Sequence, residues 1–343
     1  MKTDSLGANV MEPGSSVPSR QLGRTGIKVS ELGFGTWGLG GNSYGPVDDT
    51  LSTEVLRCAY DSGVTFYDTS DVYGNGHSEE VLGAALSSVR EHIVLATKVG
   101  LLPHTTFEMP CDFSDSHIYA SVEGSLKRLR TDYIDVYQLH SPTLKMLQRP
   151  GLVDTLRKLK QSGKIRAFGV SVRSPADGLI ALRNFDFETI QVNFNMIDHR
   201  AVESGLFDLA LARQVGVIAR TPLCFGFLTG KLTGNEVYSG LDHRANWPAA
   251  QLKRWAEAPD LFSFINNGKQ RTAAQLALRF CLDHPEVSTT IPGMMKCEEV
   301  RENLAASALA HLSSEESDLI RSVYHSHSFY DPSAKTMGKP PRS

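Results

Sequence analysis

Cysteine is scarce in this chain: five residues among 343, namely Cys58, Cys111, Cys224, Cys281 and Cys297. The number is odd and no CxxC pair occurs, so the spacing encodes neither a disulfide framework nor a thiolate zinc site. Long apolar runs are lacking as well; no stretch approaches the roughly 18 residues that a membrane-spanning helix requires. Neither sign of charge dominates. Lys and Arg total 35 against 38 Asp and Glu, a formal net charge of −3, and no long basic run offers a nucleic-acid footprint. The opening residues, MKTDSLGANVMEPGSSVPS, have no apolar segment of the secretory type and read as a mobile leader over 1–19. Reduced thiols and a cytoplasmic location are the resulting expectations.

What is present is ordinary globular composition, 41% hydrophobic and 21% charged, with length enough for a large core. After the leader, QLGRTGIKVS predicts a short β-hairpin turning at Gly26. Eight strand-like runs follow, in ELGFGTW, VTFYDTS, HIVLATKV, YIDVYQLH, IRAFGVSV, TIQVNFN, GVIARTPL and VSTTIPG. Helical patterns such as STEVLRCAYDSG and LVDTLRKLKQSG separate them. Strict alternation implies right-handed βαβ crossovers and a parallel sheet. Eight such units close into a (β/α)8 TIM barrel, one domain over 20–325 followed by a tail over 326–343; a doubly wound open sheet is the competing architecture. Segments 100–117 and 224–270 exceed ordinary connections and follow strands, so they are expected to overhang the C-terminal face as a lid.

One motif misleads. Gly33-Phe34-Gly35-Thr36-Trp37-Gly38 satisfies GxGxxG after a strand, but the chain continues LGGNSYGPVDD and opens no helix on the third glycine. The Rossmann fingerprint needs that helix to receive pyrophosphate, so the dinucleotide reading is set aside. These glycines are expected to let backbone approach a ligand.

Chemistry collects where apolar runs give way to turns. Asp68, Lys98 and His140 each end a strand-like run, and Tyr73 follows Asp68 on the same loop. An ammonium at the end of an apolar strand must be paired or neutralised, and Asp68 is its natural counter-ion. Tyr73 can reach the same spot, where an adjacent ammonium favours phenolate and makes the phenol a usable acid and base. His140 is placed to donate to a carbonyl oxygen. Each residue alone has a structural reading. All four at consecutive strand mouths point to a site that protonates a carbonyl oxygen as hydride arrives.

At this point the sequence resembles the aldo-keto reductases, from about Arg20 to about Leu312. The segments carrying the likeness are YDTSDVYGNGHSEEVLG, VLATKVG, SLKRLRTDYIDVYQLH, GKIRAFGVS, QVNFN, TPLCFGFLTGKL and IPGMMKCEEVREN. The resemblance implies a barrel that binds a nicotinamide cofactor without a Rossmann fold and reduces an aldehyde or ketone, or runs the reverse reaction. NADP(H) is the implied cofactor, NAD(H) the alternative. The family's catalytic four map onto Asp68, Tyr73, Lys98 and His140. Cofactor contacts carry over as Gly35, Thr36 and Trp37 at the nicotinamide end beside Asp68, and Ser171 and Gln191 on the carboxamide. Thr221, Pro222, Leu223, Gly226, Leu228 and Lys231 would follow the pyrophosphate, and Gly293, Lys296, Glu302 and Asn303 the adenosine half.

Three departures qualify the likeness. Val172 follows Ser171 where many relatives have Asn, and Arg220 stands where many have a ring that stacks on nicotinamide. Gly293, Met295 and Glu299 occupy positions where relatives place Lys or Arg, leaving Lys296 and Arg301 as the local bases. The expected partner is a small-molecule carbonyl compound. His104, Asp242, His243, Arg244 and Asn246 in the long segments favour a polyol, sugar-like or oxygenated secondary-metabolite substrate. No metal is expected, because His325-Ser326-His327 lacks a third ligand cluster, and Cys224 lacks a base and reads as packing. Trp247, Trp255 and Phe262 are either lid packing or substrate walls. The same barrel also suits two other functions: a cofactor-binding regulatory subunit resembling potassium-channel β subunits, and a sugar epimerase or lyase using internal redox.

Overall fold

The computed structural model describes residues 17–103 and 109–331. Strands β1 (Ser19–Gln21) and β2 (Lys28–Ser30) pair antiparallel across a turn in which Gly26 takes a φ of 76°, a left-handed conformation that glycine adopts without penalty. Eight further strands follow: β3 (Phe34–Gly35), β4 (Phe66–Asp68), β5 (Val94–Val99), β6 (Ile134–His140), β7 (Ile165–Ser171), β8 (Thr189–Asn193), β9 (Gly216–Arg220) and β10 (Val287–Ile291). They pair in chain order, every neighbour parallel. Parallel bridges Leu32–Thr290 and Gly35–Gly293 join the first strand to the last and close the barrel.

Around the sheet lie α1 (Asp49–Asp61), α2 (His77–Leu86), α3 (Asp115–Leu129), α4 (Leu144–Leu147), α5 (Leu152–Gln161), α6 (Pro175–Asn184) and α7 (Arg200–Glu203). The chain continues through α8 (Leu206–Ala212), α9 (Ala249–Ala256), α10 (Ala258–Phe262), α11 (Ala273–Leu282), α12 (Cys297–Leu304) and α13 (Ser314–Ser326). Local sequence sets their ends. Asp48, Ser114, Ser174 and Thr272 accept backbone N–H groups at the starts of α1, α3, α6 and α11, satisfying donors that have no partner inside the helix. Ser313 and Glu316 form the expected capping box of α13. Among the described residues no helix is long and apolar enough to cross a membrane.

The barrel interior is layered, and the layering positions the site. Leu22, Ile27 and Val29 of the hairpin plug the bottom, against Phe66, Val94, Ala96, Val136, Ala167, Ile218 and Ile291 from the strands. Side chains alternate along a strand, so the next residue on the same face lies two positions on. From Phe66, Ala96, Val136 and Ile218 that step gives Asp68, Lys98, Gln138 and Arg220. An apolar floor therefore carries a polar upper layer at the C-terminal ends of the strands.

Two expectations gain detail in the structure. A Cβ on Gly33 would sit 2.9 Å from the Phe66 carbonyl oxygen, and one on Gly35 would sit 2.8 Å from that of Ile291. These glycines allow the strands to close. Segment 224–270 overhangs the mouth through Phe225 and His243 and is firmly packed. It contains α9 and α10 and buries Trp247, Trp255 and Phe262, the two indoles packing edge to face at 4.7 Å. Phe329 stacks near Phe262, and the Gln251 amide donates to the Phe329 carbonyl at 2.9 Å. Apolar demand folds this segment into the body, so the three aromatic side chains are packing.

One buried ion network lies beneath the site. Asp135 of β6 is fully buried and accepts from Arg90, from Arg166 and from the Leu95 amide, at 2.7, 2.6 and 2.9 Å. Asp135→Ala leaves the buried Arg90 guanidinium without its carboxylate, and the expected loss of stability is about 3–5 kcal/mol. Urea denaturation measures it; a loss of less than about 1 kcal/mol, the scale of an exposed pair, contradicts the assignment.

Candidate active site

Three strand ends deliver the polar layer to one point. The Lys98 side chain is fully buried, and an ammonium carries three donors. All three are used: toward Asp68 Oδ1 at 2.6 Å, the Thr69 carbonyl at 2.7 Å and Tyr73 Oη at 3.1 Å. The other Asp68 oxygen accepts from the Gln191 amide at 2.8 Å and the Gln138 amide at 3.1 Å. Both carboxylate oxygens thus have donors, and the group anchors the ammonium that reaches the phenol.

Electrostatics here departs from the simple expectation for Tyr73. Burial raises the pKa of the phenol, and Asp68 adds to the rise; Lys98 pulls the other way but does not win. Tyr73 is therefore held as a neutral phenol: the ammonium favours phenolate as expected, but burial outweighs it. Burial by itself lowers the Lys98 pKa, but Asp68 and Tyr73 more than offset it and hold the group above the ordinary lysine range. The ammonium is the stable form. Since it donates to the phenol oxygen, the phenol's own proton points elsewhere.

His140 comes from the end of β6, with its ring centroid 6.0 Å from that of Tyr73 in an edge-on arrangement. Its Nδ1 meets the Ser70 hydroxyl at 3.1 Å, and Ser70 donates to Asp71 at 3.2 Å. Burial, together with the charge of Glu79, pushes the Asp71 carboxyl up to about 7. All four residues singled out for catalysis thus lie together. Sequence reasoning passed over Gln138, Thr69 and Ser70. Gln138 left one signal, a polar residue inside an apolar strand two positions before His140; the other two act through a backbone oxygen and a hydroxyl inside the same loop.

Aromatic rings cover the mouth. Trp37 lies between His243 at 4.5 Å, Tyr44 at 5.4 Å, Phe225 at 6.2 Å and Tyr73 at 6.3 Å. Backbone ties hold the two loops together: the His243 amide donates to the Ser43 carbonyl, and Tyr44 bridges Asp242. Burial lowers His243 to about 3, so it is a neutral ring in the cover. Asp242 and Arg244 are taken up by each other at 2.7 Å, and Arg244 stacks over Tyr44. Asn246 is exposed, and His104 lies outside the described residues.

The positions expected to hold a cofactor fall into three groups. Gly35, Thr36, Trp37, Ser171, Gln191 and Arg220 surround the four. Thr36 donates to the Asp68 carbonyl, and the Ser171 hydroxyl donates to the Gln191 side-chain oxygen at 3.3 Å, which leaves the Gln191 amide on Asp68. Arg220 donates to the Val172 carbonyl at 3.1 Å while its Nε is buried without a partner. The second group is a tight turn beyond β9. Thr221, Cys224, Phe225 and Gly226 take φ values of 54°, 45°, 57° and 92°, and Pro222, Leu223 and Leu228 share this turn. Left-handed non-glycine residues cost free energy and concentrate at functional sites, and turns of this kind converge backbone N–H groups on anions. Cys224 is buried there with its thiol pushed well up by desolvation, consistent with packing.

The third group surrounds the start of α12. Gly293 pairs with Gly35 in the closing bridge. Lys231 donates to Glu302 at 2.8 Å and Asn303 is buried. Lys296 stands at the N-cap position of α12 with no side-chain capping bond, exposed and without an ion pair among the described residues. Glu299 turns its carboxylate back onto the Met295 amide at 2.7 Å. The orphaned Arg220 Nε, the strained turn and the unpaired Lys296 fit an elongated anionic cofactor. No cluster of metal-ligating side chains occurs among the described residues.

The family model described as the aldo/keto reductase family matches residues 31–325. Aldo-keto reductase YhdN of Bacillus subtilis is 34% identical over 278 residues, covering 79% of this chain and 83% of the relative. Among solved structures, the holo form of aldo-keto reductase AKR11C1 from Bacillus halodurans superposes with a TM-score of 0.75 at 31% identity, covering 90% of this chain and 96% of the other. An aldo-keto reductase from Klebsiella pneumoniae in complex with NADPH gives a TM-score of 0.68 at 27% identity, covering 89% and 94%. With the fold, the closed parallel barrel and the matched span in agreement, this chain belongs to the aldo/keto reductase family.

Proposed function

We propose that the protein reduces an aldehyde or ketone with a nicotinamide cofactor, or runs the reverse oxidation, and that Tyr73 supplies the proton. The observation that carries this reading is the Lys98 ammonium with all three donors spent, one of them on the Tyr73 oxygen. When bound, the nicotinamide supplies hydride. The chain's own residues do the rest. Tyr73 gives its proton to the carbonyl oxygen, and the phenolate left behind sits 3.1 Å from an ammonium that stabilises it. Asp68 keeps Lys98 charged, and Gln138 and Gln191 keep Asp68 oriented. His140 orients the carbonyl oxygen against Tyr73. The aromatic cover around Trp37 excludes water from the reacting atoms.

Residues for the cofactor divide by chemistry. Gly35, Thr36, Trp37, Ser171, Gln191 and Arg220 would hold the nicotinamide end. Thr221, Pro222, Leu223, Gly226, Leu228 and Lys231 would hold the pyrophosphate, and Gly293, Lys296, Glu302 and Asn303 the adenosine half. The relative in complex with NADPH supports NADP(H), and the unpaired Lys296 supports a 2′-phosphate. Glu299 opposes it.

Tyr73→Phe keeps the ring and removes the proton, so cofactor binding should survive while turnover falls by about 10²–10⁴. Single-turnover oxidation of NADPH by a carbonyl substrate measures this, and an undiminished rate of the chemical step sinks the assignment. In the wild type the raised phenol should put the alkaline fall of the pH–rate profile above that of an ordinary tyrosine.

Lys98 and Asp68 should behave as one unit. Lys98→Met abolishes reduction and Asp68→Asn cripples it, and the double variant should be little worse than Lys98→Met alone. A double-mutant cycle in kcat/KM tests the coupling; additive losses mean that the two do not interact.

For the cofactor, NADPH should bind more tightly than NADH, by a small margin. Glu299→Arg should widen that margin about tenfold, the value of one added charge-assisted hydrogen bond. Fluorescence quenching by each reduced cofactor decides; tighter binding of NADH by the wild type overturns the NADP(H) assignment.

A further inference from the structure

Two of the five cysteines meet outside the reaction site. Cys58 lies on α1 and Cys297 is the first residue of α12, and these helices pack against each other. The Cys297 sulfur reaches the Glu54 carbonyl at 4.0 Å. Glu54 and Cys58 are four residues apart on α1, so they stack on one face of it. The Cys297 sulfur and the Cys58 side chain therefore share that face. Both are partly accessible, whereas Cys224 and Cys281 are buried, and Cys111 sits apart beside Met146.

We propose that Cys58 and Cys297 form a dithiol modification site, oxidised by peroxide to a disulfide that links α1 to α12 and weakens cofactor binding. The coupling to the cofactor rests on the reading of α12 given above, since Cys297 follows Lys296 directly and precedes Glu299, Glu302 and Asn303.

The chemistry divides between the two sulfurs. Cys297 opens α12, and its thiol donates to the Glu54 carbonyl. Burial and the neighbouring Cys297 push the Cys58 thiol up to about 12, so Cys58 keeps its proton until it reacts. Arg301 lies close enough to favour charge on this pair. The Cys297 sulfur gives up its proton and attacks hydrogen peroxide, the O–O bond breaks, and a sulfenic acid and one water form. Cys58 then attacks that sulfur, the S–S bond forms and a second water leaves; two thiols and one peroxide give one disulfide and two waters. A disulfide holds its sulfurs about 2.05 Å apart, so the start of α12 is drawn toward α1, and Lys296 moves with it.

The test uses the full-length protein, reduced and then treated with hydrogen peroxide. Intact mass should show loss of two hydrogens, and protease digestion should yield one cross-linked pair containing Cys58 and Cys297. NADPH affinity, read by fluorescence quenching, should weaken about tenfold on oxidation, as expected for one lost charge-assisted hydrogen bond, and recover with dithiothreitol. Cys58→Ser and Cys297→Ser should each abolish the cross-link, and Cys111→Ser should leave it intact. A different cysteine pairing, no cross-link, or a cross-link with unchanged NADPH affinity overturns the proposal. Failure of the fully reduced protein to bind NADPH instead overturns the functional reading, while the mass measurement still decides the dithiol site.

Discussion

Everything at the mouth of this barrel depends on one buried ammonium. Lys98 has no exposed surface, and an isolated charge in such a place would neutralise or move. It stays charged because three acceptors meet its three donors, from an aspartate, a backbone carbonyl and a phenol. That arrangement in turn fixes Asp68, Tyr73 and the loop between them. The two glutamines on Asp68 are a consequence: a carboxylate with one oxygen on an ammonium still has another to satisfy.

The fold supplies this constraint through layering. The hairpin plug and the apolar ring above it fill the lower barrel, so the polar layer cannot sink, and water has no path from below. Strand alternation then makes each polar residue the next inward position above an apolar one. Glycines 33 and 35 let the first strand lie against the last, and that closure brings the turn bearing Thr36 and Trp37 over Asp68. The segment after β9, packed through its tryptophans, places His243 on Trp37 from the other side.

Much of this was legible in the sequence because it is local. Eight β-branched runs punctuated by capping residues yield eight strands and their helices, and the ionisable residue ending a run yields the site. Gln138 was legible in principle and overlooked. The rest is long-range. Nothing in GFGTWG says that its glycines serve strand closure, since the atoms they must clear belong to Phe66 and Ile291. The neutral state of Tyr73 follows from how much protein surrounds it, which no spacing records. The docking of 239–247 onto the first loop joins residues some two hundred positions apart. Asp242 and Arg244, which look free for substrate in the sequence, are spent on each other.

The most direct test is a crystal structure of the complex with NADP⁺ and a carbonyl-containing inhibitor. The account predicts the inhibitor's oxygen within hydrogen-bond reach of both Tyr73 Oη and His140, with its carbon about 3–3.5 Å from the nicotinamide carbon that carries hydride. Lys98 should still bridge Asp68 and Tyr73. An inhibitor oxygen bound away from Tyr73, or a Lys98 released from the phenol in the complex, contradicts the account.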